Sequence, residues 1–363
     1  MAERMLVVGA GGLGGITAAL AAERWGTSAE PTFEVRALTT NARIAEAVRK
    51  GGYRVGGLLR ERAIVAPILS EPAAVTGPYD WIVLAVQPPQ VEEAARAAMP
   101  WLSPSGRLVC FQNGLAEERI TRLGLPASRV VGAVVGWGAS MPEPGRYHLT
   151  ARGGFTVGTL DASAPEDALA GLASCLSPVA PVKLTTNLRG ARWSKLAINC
   201  AISTLGTIGR GTLGAVLLHR TARRLGLELI TEVVELASKE GVTLEKIAGL
   251  DLTKLALTDA ERAAQGSPTL VAKHSLMLAV GARYRRMRSS MLSAIERGRI
   301  PAVDFLNGEI VERAERHRCA VPANREATQM VHDIARGRVP GGIGAIHLLQ
   351  ERIAKRRELE RAR

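Results

Sequence analysis

The chain has 363 residues, a length that predicts two domains, and its 47% hydrophobic and 22% charged residues are ordinary for a globular protein. A formal net charge of +13 and a pI near 10.2 predict a basic field that attracts anions. Aromatic residues make up only 4%, so the stacking platforms of single-strand nucleic-acid binders are not expected. No apolar run is long enough to cross a bilayer, so we expect a cytoplasmic protein without membrane or nucleic-acid partners.

The residues that most often bind metals are dispersed along the chain. Cys110, Cys175, Cys200 and Cys319 form no C-x-x-C pair, and the histidines have no metal-ligand spacing. Reduced thiols and no metal site are therefore expected.

The first motif is a glycine turn near the N-terminus. The apolar run from Met5 to Val8 predicts a buried strand, and the alanine-rich stretch ending near Trp25 predicts a helix. The residues between them, all predicted to bind a dinucleotide cofactor, are Gly9, Ala10, Gly11, Gly12, Leu13 and Gly14. In such a turn the glycines permit the tight bend, the approach of a pyrophosphate and close helix–strand packing. The alternative is a purely structural turn.

The end of the second predicted strand, Phe33 to Leu38, indicates which cofactor is bound. An NAD enzyme usually has an acidic residue there for the ribose 2′-hydroxyl, and this chain has none. It offers hydroxyl, amide and guanidinium donors that suit a 2′-phosphate, namely Thr39, Thr40, Asn41 and Arg43. NADP(H) is therefore favoured over NAD(H). The alternative for Arg43 is a solvated residue at the start of the next helix.

Later apolar runs extend the same pattern of strands and helices. Strands are predicted over Asp80–Val86, Gly106–Phe111, Val130–Val135 and Gly154–Gly158, with a β excursion over Gly56–Leu69 and a helix over Gln90–Trp101. This predicts an α/β Rossmann-type domain with a parallel sheet that is covered on both faces. Ligands bind at the carboxyl ends of such strands, where Gln87 and Asn113 fall. Both are predicted to contact the cofactor.

The second half of the chain has helical periodicity. Helices are predicted over Trp193–Gly206, Thr221–Gly241, Thr269–Arg297, Asp304–Cys319 and Arg325–Arg336, and a last helix follows the glycine-rich break Gly337–Gly344. We therefore predict an NADP-binding domain over residues 1–185 and an all-α substrate and dimerisation domain over residues 186–363.

Lys195 and Asn199 are four residues apart on the first of these helices and share one face. A lysine on a mainly apolar helix suits general-acid chemistry, because desolvation lowers the pKa of its ammonium group. The alternative is a surface lysine on a half-buried helix.

Several short motifs occur in one order along nearly the whole chain. They are the glycine turn, Gln112-Asn113-Gly114, Trp193-Ser194-Lys195-Leu196 with Asn199-Cys200, Ser289-Ser290-Met291, Asp304-Phe305-Leu306-Asn307-Gly308 and Val321-Pro322-Ala323-Asn324. In this order they resemble the ketopantoate reductase family (2-dehydropantoate 2-reductases). The resemblance implies an NADPH-binding domain followed by a helical domain of the 6-phosphogluconate dehydrogenase-like type.

The resemblance also implies a role for individual residues. Lys195 corresponds to the family's catalytic lysine, which donates the proton to the keto oxygen, and Asn113 to the asparagine beside the nicotinamide that helps to position it. Asn199 and Ser290 correspond to substrate-binding residues, and Asp304, from the Asp-x-x-Asn-Gly motif, is also predicted to bind the substrate. No metal is implied, and a homodimer is possible.

Three departures from the family pattern bear on the substrate. Ala302 replaces a glutamate that usually binds the substrate hydroxyl, and Gln87 replaces a lysine near the cofactor. After Asn199-Cys200 the family typically reads Ala-Ile-Asn-Pro-Leu, whereas this chain has Ser203 and Thr204 in place of Asn-Pro. Additional sequence lies around 241–270 and in the basic tail from Arg352 to Arg363.

These observations predict NADPH-dependent reduction of a 2-oxo acid to a 2-hydroxy acid, with ketopantoate the leading substrate. The first alternative is a specialised reductase of a bulkier ketone or an imine. A more distant alternative is an NADP-binding regulator without catalysis.

Overall fold

The computed structural model describes residues 2–26, 32–161, 166–247, 249–263 and 266–362. The chain divides into two compact units, Met1–Leu188 and Arg189–Arg363. The division lies close to the boundary predicted after residue 185. Within the additional sequence noted above, Ala248, Ala264, Gln265 and Arg363 lie outside the described residues.

The first unit is built on a sheet whose described strands are β1 (Glu3–Val8), β2 (Phe33–Leu38), β5 (Ile68–Leu69), β6 (Tyr79–Leu84), β7 (Leu102–Cys110), β8 (Val130–Val135), β11 (Phe155–Thr159) and β12 (Val182–Leu184). Their order across the sheet is β12-β11-β8-β7-β6-β1-β2-β5. β1 lies between β2 and β6 and is parallel to both. The strands that follow β1 in the chain are therefore added on both sides of it, which makes the end of β1 a topological switch point. The glycine turn follows β1 at this point.

One part of the predicted parallel sheet is wrong. β11 is antiparallel to β8, with Phe155 opposite Val135. The reason is the connection between them, which is a β-hairpin and not a crossover helix, and a parallel neighbour requires a crossover.

That hairpin belongs to a second sheet that the sequence patterns did not predict in full. Its strands have the order β4-β3-β10-β9 and are β3 (Tyr53–Gly57), β4 (Arg62–Ile64), β9 (Gly138–Glu143) and β10 (Arg146–Ala151). β3 and β4 lie in or beside the predicted β excursion, whereas β9 and β10 were missed. Pro144-Gly145 in the turn and the alternation that follows were the available signals.

Five α-helices are described between the strands of the first unit. They are α1 (Gly12–Trp25), α2 (Ala42–Gly51), α3 (Val91–Ala98), α4 (Ala116–Thr121) and α5 (Ala170–Leu176). α3 ends earlier than predicted and passes into a short 3₁₀ turn, Met99–Trp101, which contains Pro100.

The described part of the second unit is predominantly helical. Its α-helices are α6 (Leu188–Ile198), α7 (Thr204–Ile208), α8 (Leu213–Leu218), α9 (Arg220–Lys239), α10 (Asp259–Ala263), α11 (Pro268–Arg283), α12 (Ser290–Glu296), α13 (Asn307–Arg316), α14 (Pro322–Ala335) and α15 (Ile343–Arg361). A π-helical turn, Asn199–Ser203, joins α6 to α7. No described helix is both long and apolar enough to cross a membrane.

The long helix predicted over Thr269–Arg297 is wrong, because the chain leaves helical structure between α11 and α12. Leu213 donates its N–H to the Met287 carbonyl at 2.8 Å, and Arg288 forms an isolated β-bridge with Thr212. Ser289 then caps a new helix by accepting the Met291 N–H. The predicted helix from Asp304 likewise begins as a 3₁₀ turn, Ala302–Phe305, before α13.

Candidate active site

The glycine turn after β1 is fixed by close backbone contacts. Gly9 has φ +102°, and a Cβ there would lie 2.9 Å from the Ala85 carbonyl carbon. A Cβ on Gly14 would lie 1.9 Å from the Gly9 carbonyl oxygen. Side chains at these two positions would therefore break the packing of α1 on the sheet.

Gly11 differs from its neighbours because a Cβ there would meet nothing within 4 Å. It is the N-cap residue of α1, and neither a capping side chain nor an acidic residue occupies the first turn of that helix. The space beside Gly11 is therefore open, and it adjoins the positive dipole end of α1. This arrangement fits the pyrophosphate of a dinucleotide.

The turn is supported by a residue that sequence reasoning missed. The Tyr147 hydroxyl, from β10, donates a hydrogen bond to the Ala10 carbonyl at 3.1 Å. A Cβ on Gly15 would lie 2.1 Å from the Tyr147 ring, so a glycine there lets the ring pack on α1. The second sheet thus braces the start of α1.

The residues after β2 form a polar surface at the end of that strand. Thr39 is buried, while Thr40, Asn41 and Arg43 are exposed. Asn41 Oδ1 caps α2 by accepting the Ile44 N–H at 3.3 Å, which leaves its amide N–H groups as donors. The segment from Thr39 to Arg43 contains no carboxylate, and its donor set fits a 2′-phosphate.

Gln87 and Asn113 follow β6 and β7 at the same edge of the sheet, and both are exposed. The neighbouring Gln112 is buried and donates to the carbonyls of Leu84 at 2.9 Å and Val86 at 3.0 Å. Gln112 therefore ties the ends of the two strands together. The structure brings the predicted cofactor residues of the first unit to one edge of its main sheet.

Lys195 lies on α6 in the second unit, among buried residues. Its side chain is half-buried, whereas Trp193, Leu196 and Ala197 on either side are fully buried. Burial lowers the pKa of Lys195, and the positive charge of Arg192 lowers it further. A lysine in this setting transfers its proton more readily than a surface lysine.

Asn199 follows one helical turn later and is only 6% exposed. Its Oδ1 accepts a hydrogen bond from the Ser203 hydroxyl at 3.4 Å. Its buried Nδ2 has no hydrogen-bond partner among the described residues. A buried amide donor without an acceptor is costly, so this atom fits a ligand oxygen.

Ser290 is exposed at the start of α12. Hydrogen bonds of the Thr207 hydroxyl connect the residue before it, Ser289, to the π-turn. Thr207 Oγ1 lies 2.8 Å from the Ser203 carbonyl oxygen and 2.9 Å from Ser289 Oγ. The structure therefore brings the segment carrying Ser290 to the turn that begins with Asn199.

Asp304 is exposed, and its Oδ1 lies 2.8 Å from His332 Nε2 on α14. Ala302, at the start of the same 3₁₀ turn, is half-buried and offers no acceptor side chain. The described residues contain no group of three or more His, Cys, Asp or Glu side chains that could hold a metal ion.

The sequence motifs around Asn307 and Asn324 carried no predicted role, yet the structure places both in a buried hydrogen-bond frame. Asn307 Nδ2 donates to Asn324 Oδ1 at 2.9 Å. Asn324 Nδ2 in turn donates to Glu232 Oε2 at 2.8 Å. Burial raises the pKa of Glu232 to about 7, against the hydrogen bonds from Asn324 and Ala323 that favour its ionised form.

Comparisons with known proteins agree with these features. The family model described as "Ketopantoate reductase PanE/ApbA" matches residues 5–162, and "Ketopantoate reductase PanE/ApbA C terminal" matches residues 187–335. A 2-dehydropantoate 2-reductase of Pyrococcus horikoshii is 23% identical over 322 residues, which cover 88% of this chain and 94% of that protein.

Solved structures show the same fold. A PanE/ApbA family ketopantoate reductase from Ralstonia eutropha is 25% identical with a TM-score of 0.74, covering 92% of this chain and 99% of its own. D-mandelate dehydrogenase, solved with NADH and anilino(oxo)acetate, is 18% identical with a TM-score of 0.77 and the same coverage. Since the family models match most of the chain, it belongs to the ketopantoate reductase family, whose members are NAD(P)H-dependent oxidoreductases acting on a CH–OH/C=O pair.

Proposed function

We propose that this chain reduces a 2-oxo acid to a 2-hydroxy acid with NADPH, and that 2-dehydropantoate is the leading substrate. The observation that carries the proposal is the half-buried Lys195, whose pKa is lowered by burial. It lies one helical turn from Asn199, whose Nδ2 has no hydrogen-bond partner within the described part of the chain. A proton donor and a fixed hydrogen-bond donor are what a carbonyl oxygen needs while it is reduced.

The nicotinamide cofactor, when bound, supplies the hydride to the carbonyl carbon. The carbonyl oxygen then gains negative charge, which the Lys195 ammonium stabilises before it donates a proton to give the alcohol. Asn199 Nδ2 donates a hydrogen bond to a substrate oxygen, and the Ser290 hydroxyl binds the carboxylate. In the first unit Asn113 lies at the sheet edge with the cofactor residues, which supports a role beside the nicotinamide.

NADPH is proposed over NADH because of the segment after β2. Thr40, Asn41 and Arg43 present donors to solvent, and the segment from Thr39 to Arg43 has no carboxylate to bind a ribose 2′-hydroxyl. We also propose that the protein acts in pantothenate biosynthesis and that it is located in the cytoplasm. Within the described residues Cys110, Cys175, Cys200 and Cys319 form no disulfide, which suits such a reducing compartment.

The test is a panel of 2-oxo acids, including 2-dehydropantoate, assayed by cofactor oxidation with NADPH and with NADH in parallel. We expect turnover of at least one 2-oxo acid and a higher kcat/KM with NADPH. If no acid in the panel is reduced with either cofactor, the proposed reaction is wrong. If NADH is preferred, only the cofactor assignment fails.

The second candidate is a reductase of a bulkier ketone or an imine, and Ala302 favours it. Ala302 is half-buried where the family has a glutamate for the substrate hydroxyl, so the site loses charge and gains space. We predict that Ala302→Glu raises kcat/KM for 2-dehydropantoate if the site is otherwise that of the family. The measurement is kcat/KM of the variant against the wild type, with Val303→Ile as a neighbouring control. An unchanged or lower value for Ala302→Glu would favour the bulkier substrate.

A further inference from the structure

The π-turn at Asn199–Ser203 interrupts an otherwise continuous helix formed by α6 and α7. Thr204 donates its N–H to the carbonyl of Asn199, five residues earlier, and to that of Ala201. A π-turn inserts one residue into a helix, and at 3.6 residues per turn it rotates the preceding side chains by about 100° relative to those that follow. The turn therefore fixes the direction of Lys195 and Asn199 relative to α7.

The amide of Asn307 holds this turn at two points. Its Nδ2 donates to the Cys200 carbonyl at 3.1 Å, and its Oδ1 accepts the Thr204 hydroxyl at 2.6 Å. In a regular α-helix the Cys200 carbonyl would instead accept the Thr204 N–H. Asn307 thus occupies the acceptor that the regular helix would use. It is completely buried, so water does not compete for these bonds.

Asn307 is itself held by a rigid set of partners from α9 and α14. Asn324 Oδ1 accepts its second Nδ2 hydrogen at 2.9 Å. The Glu232 carboxylate anchors the start of α14 by accepting the N–H groups of Ala323 at 2.8 Å and Asn324 at 2.9 Å. We call Thr204, Asn307, Asn324 and Glu232 the amide frame. Each member is less than a tenth exposed.

Thr204 is one of the positions at which this chain departs from the family pattern, and a proline is typical there. A proline has no N–H, so it could not make the regular bond to the Cys200 carbonyl, and the helix would be interrupted by its covalent structure. Thr204 has a backbone N–H, so in this chain the segment could form a regular α-helix with a Thr204 N–H bond to the Cys200 carbonyl. Its hydroxyl donates to Asn307 Oδ1 at 2.6 Å, and the Asn199 carbonyl is a more distant acceptor at 3.5 Å.

We propose that Thr204 is a positioning residue, whose hydrogen bond to Asn307 holds the π-turn and so orients Lys195 and Asn199 toward the carbonyl substrate. This inference rests on the proposed function for the direction of its kinetic effect. The claim about the π-turn itself stands on the geometry of the second unit alone.

The structural test compares crystal structures of the full-length variants Thr204→Val, Thr204→Ser and Thr204→Pro with the wild type. Val removes the hydroxyl at nearly constant volume, and we expect residues 199–203 to relax toward α-helical bonding. Ser retains the hydroxyl and Pro prevents the regular bond, so both should keep the π-turn. An unchanged π-turn in Thr204→Val would overturn the proposal, whether or not an activity has been found.

The kinetic test uses the 2-oxo acid that the wild type reduces best. Misplacing reacting groups by about 1 Å can cost roughly 100-fold, so we expect Thr204→Val to lower kcat/KM by about 10- to 100-fold. Thr204→Ser and Thr204→Pro should recover most of that loss. NADPH affinity should be unchanged in all of them.

Thr231→Val is the matched control, since Thr231 is also a buried threonine of the second unit. Its hydroxyl donates to the Leu227 carbonyl at 2.6 Å and accepts the Leu257 N–H at 2.8 Å, and neither partner belongs to the amide frame. It should lower the melting temperature without lowering kcat/KM. If Thr204→Val behaves like Thr231→Val in both respects, Thr204 is merely structural. If Lys195→Ala still lowers turnover by about 10²- to 10⁴-fold, the proposed function stands while this inference fails.

Discussion

At the scale of single residues, the chemistry depends on how α6 surrounds Lys195. Its neighbours Trp193, Leu196 and Ala197 are fully buried, and Arg192 adds a positive charge close by. Both effects disfavour the ammonium form, which makes it a stronger acid than a surface lysine. The sequence predicted this from the apolar character of the helix. The contribution of Arg192 could not be predicted, because helical spacing alone does not show which charges lie close together.

This setting predicts a pH dependence. The ammonium form of Lys195 is the active form, so kcat/KM for the 2-oxo acid should be constant at low pH and fall as the pH rises through the pKa of Lys195. Because that pKa is lowered, the fall should occur below the range of an unperturbed lysine, about 10.4. The measurement is the pH profile of kcat/KM with NADPH saturating. A fall centred at or above the ordinary lysine value would contradict the assignment.

Gly11 offers a second prediction at this scale, because it separates cofactor binding from folding. A Cβ at Gly11 meets no atom of the described residues within 4 Å, so Gly11→Ala should leave the free energy of unfolding almost unchanged. The same methyl group would stand where the pyrophosphate approaches, so NADPH affinity should fall by about tenfold or more. Fluorescence titration with NADPH measures this.

Gly51→Ala is the control, since a Cβ there also meets nothing within 4 Å but lies at the end of α2. It should bind NADPH like the wild type. Equal affinity in Gly11→Ala and Gly51→Ala would show that the turn does not bind a pyrophosphate.

At the scale of elements, local patterns predicted most strands and helices, and the failures share a physical cause. The break between α11 and α12 depends on Leu213 bonding to Met287, far away in sequence. The π-turn likewise depends on Asn307, which is 103 residues from its partner Thr204. Such bonds override helical periodicity and leave no periodic signal of their own. The motifs that carried the family resemblance contain Asn307 and Asn324, but their contacts became visible only in the fold.

The additional segment before α11 is attached by a buried ion pair, which predicts its contribution to stability. Glu261, on α10, is 3% exposed, and its Oε2 lies 2.6 Å from Lys273 Nζ on α11. Burial alone would raise the pKa of Glu261, but the hydrogen bonds from Lys273 and the Thr258 N–H outweigh it and lower the pKa to about 2.

Since the folded-state pKa lies below the ordinary value of 4.5, the ionised Glu261 stabilises the fold above that value. This contribution is lost as the pH falls toward about 2. We predict that Glu261→Gln lowers the free energy of unfolding by roughly 3 kcal/mol at neutral pH, because it leaves the half-buried Lys273 ammonium without a counter-charge. The difference from the wild type should shrink in acid. Urea unfolding of the variant and the wild type, at neutral pH and in acid, measures this difference in the free energy of unfolding.

The exposed pair of Glu235 with Arg262 supplies the control for this measurement. Because both side chains are screened by water, Glu235→Gln should cost less than about 1 kcal/mol. An equal cost for the two substitutions would show that burial does not strengthen the Glu261–Lys273 pair.

At the scale of the whole molecule, the order of motifs predicted both units and the family to which the chain belongs. The first unit carries the glycine turn and the donors after β2, and the second carries Lys195, Asn199 and Ser290. Composition explained the basic charge only in general terms, as an attraction for an anionic cofactor and an acidic substrate. Ala302 lacks the carboxylate that binds the substrate hydroxyl in the family. The substrate group that lies beside Ala302 is therefore identified by the assay of 2-oxo acids.

The proposed proton donor belongs to the second unit and the predicted cofactor residues belong to the first, so one substitution can separate the two roles. The most direct test is therefore the rate of NADPH oxidation by Lys195→Ala in a single turnover with the best 2-oxo acid. A general acid typically contributes about 10²- to 10⁴-fold, so the rate of NADPH oxidation should fall within that range. The Kd for NADPH should stay that of the wild type, because the predicted cofactor residues belong to the first unit. An unchanged oxidation rate in Lys195→Ala would contradict the role of Lys195 as the proton donor.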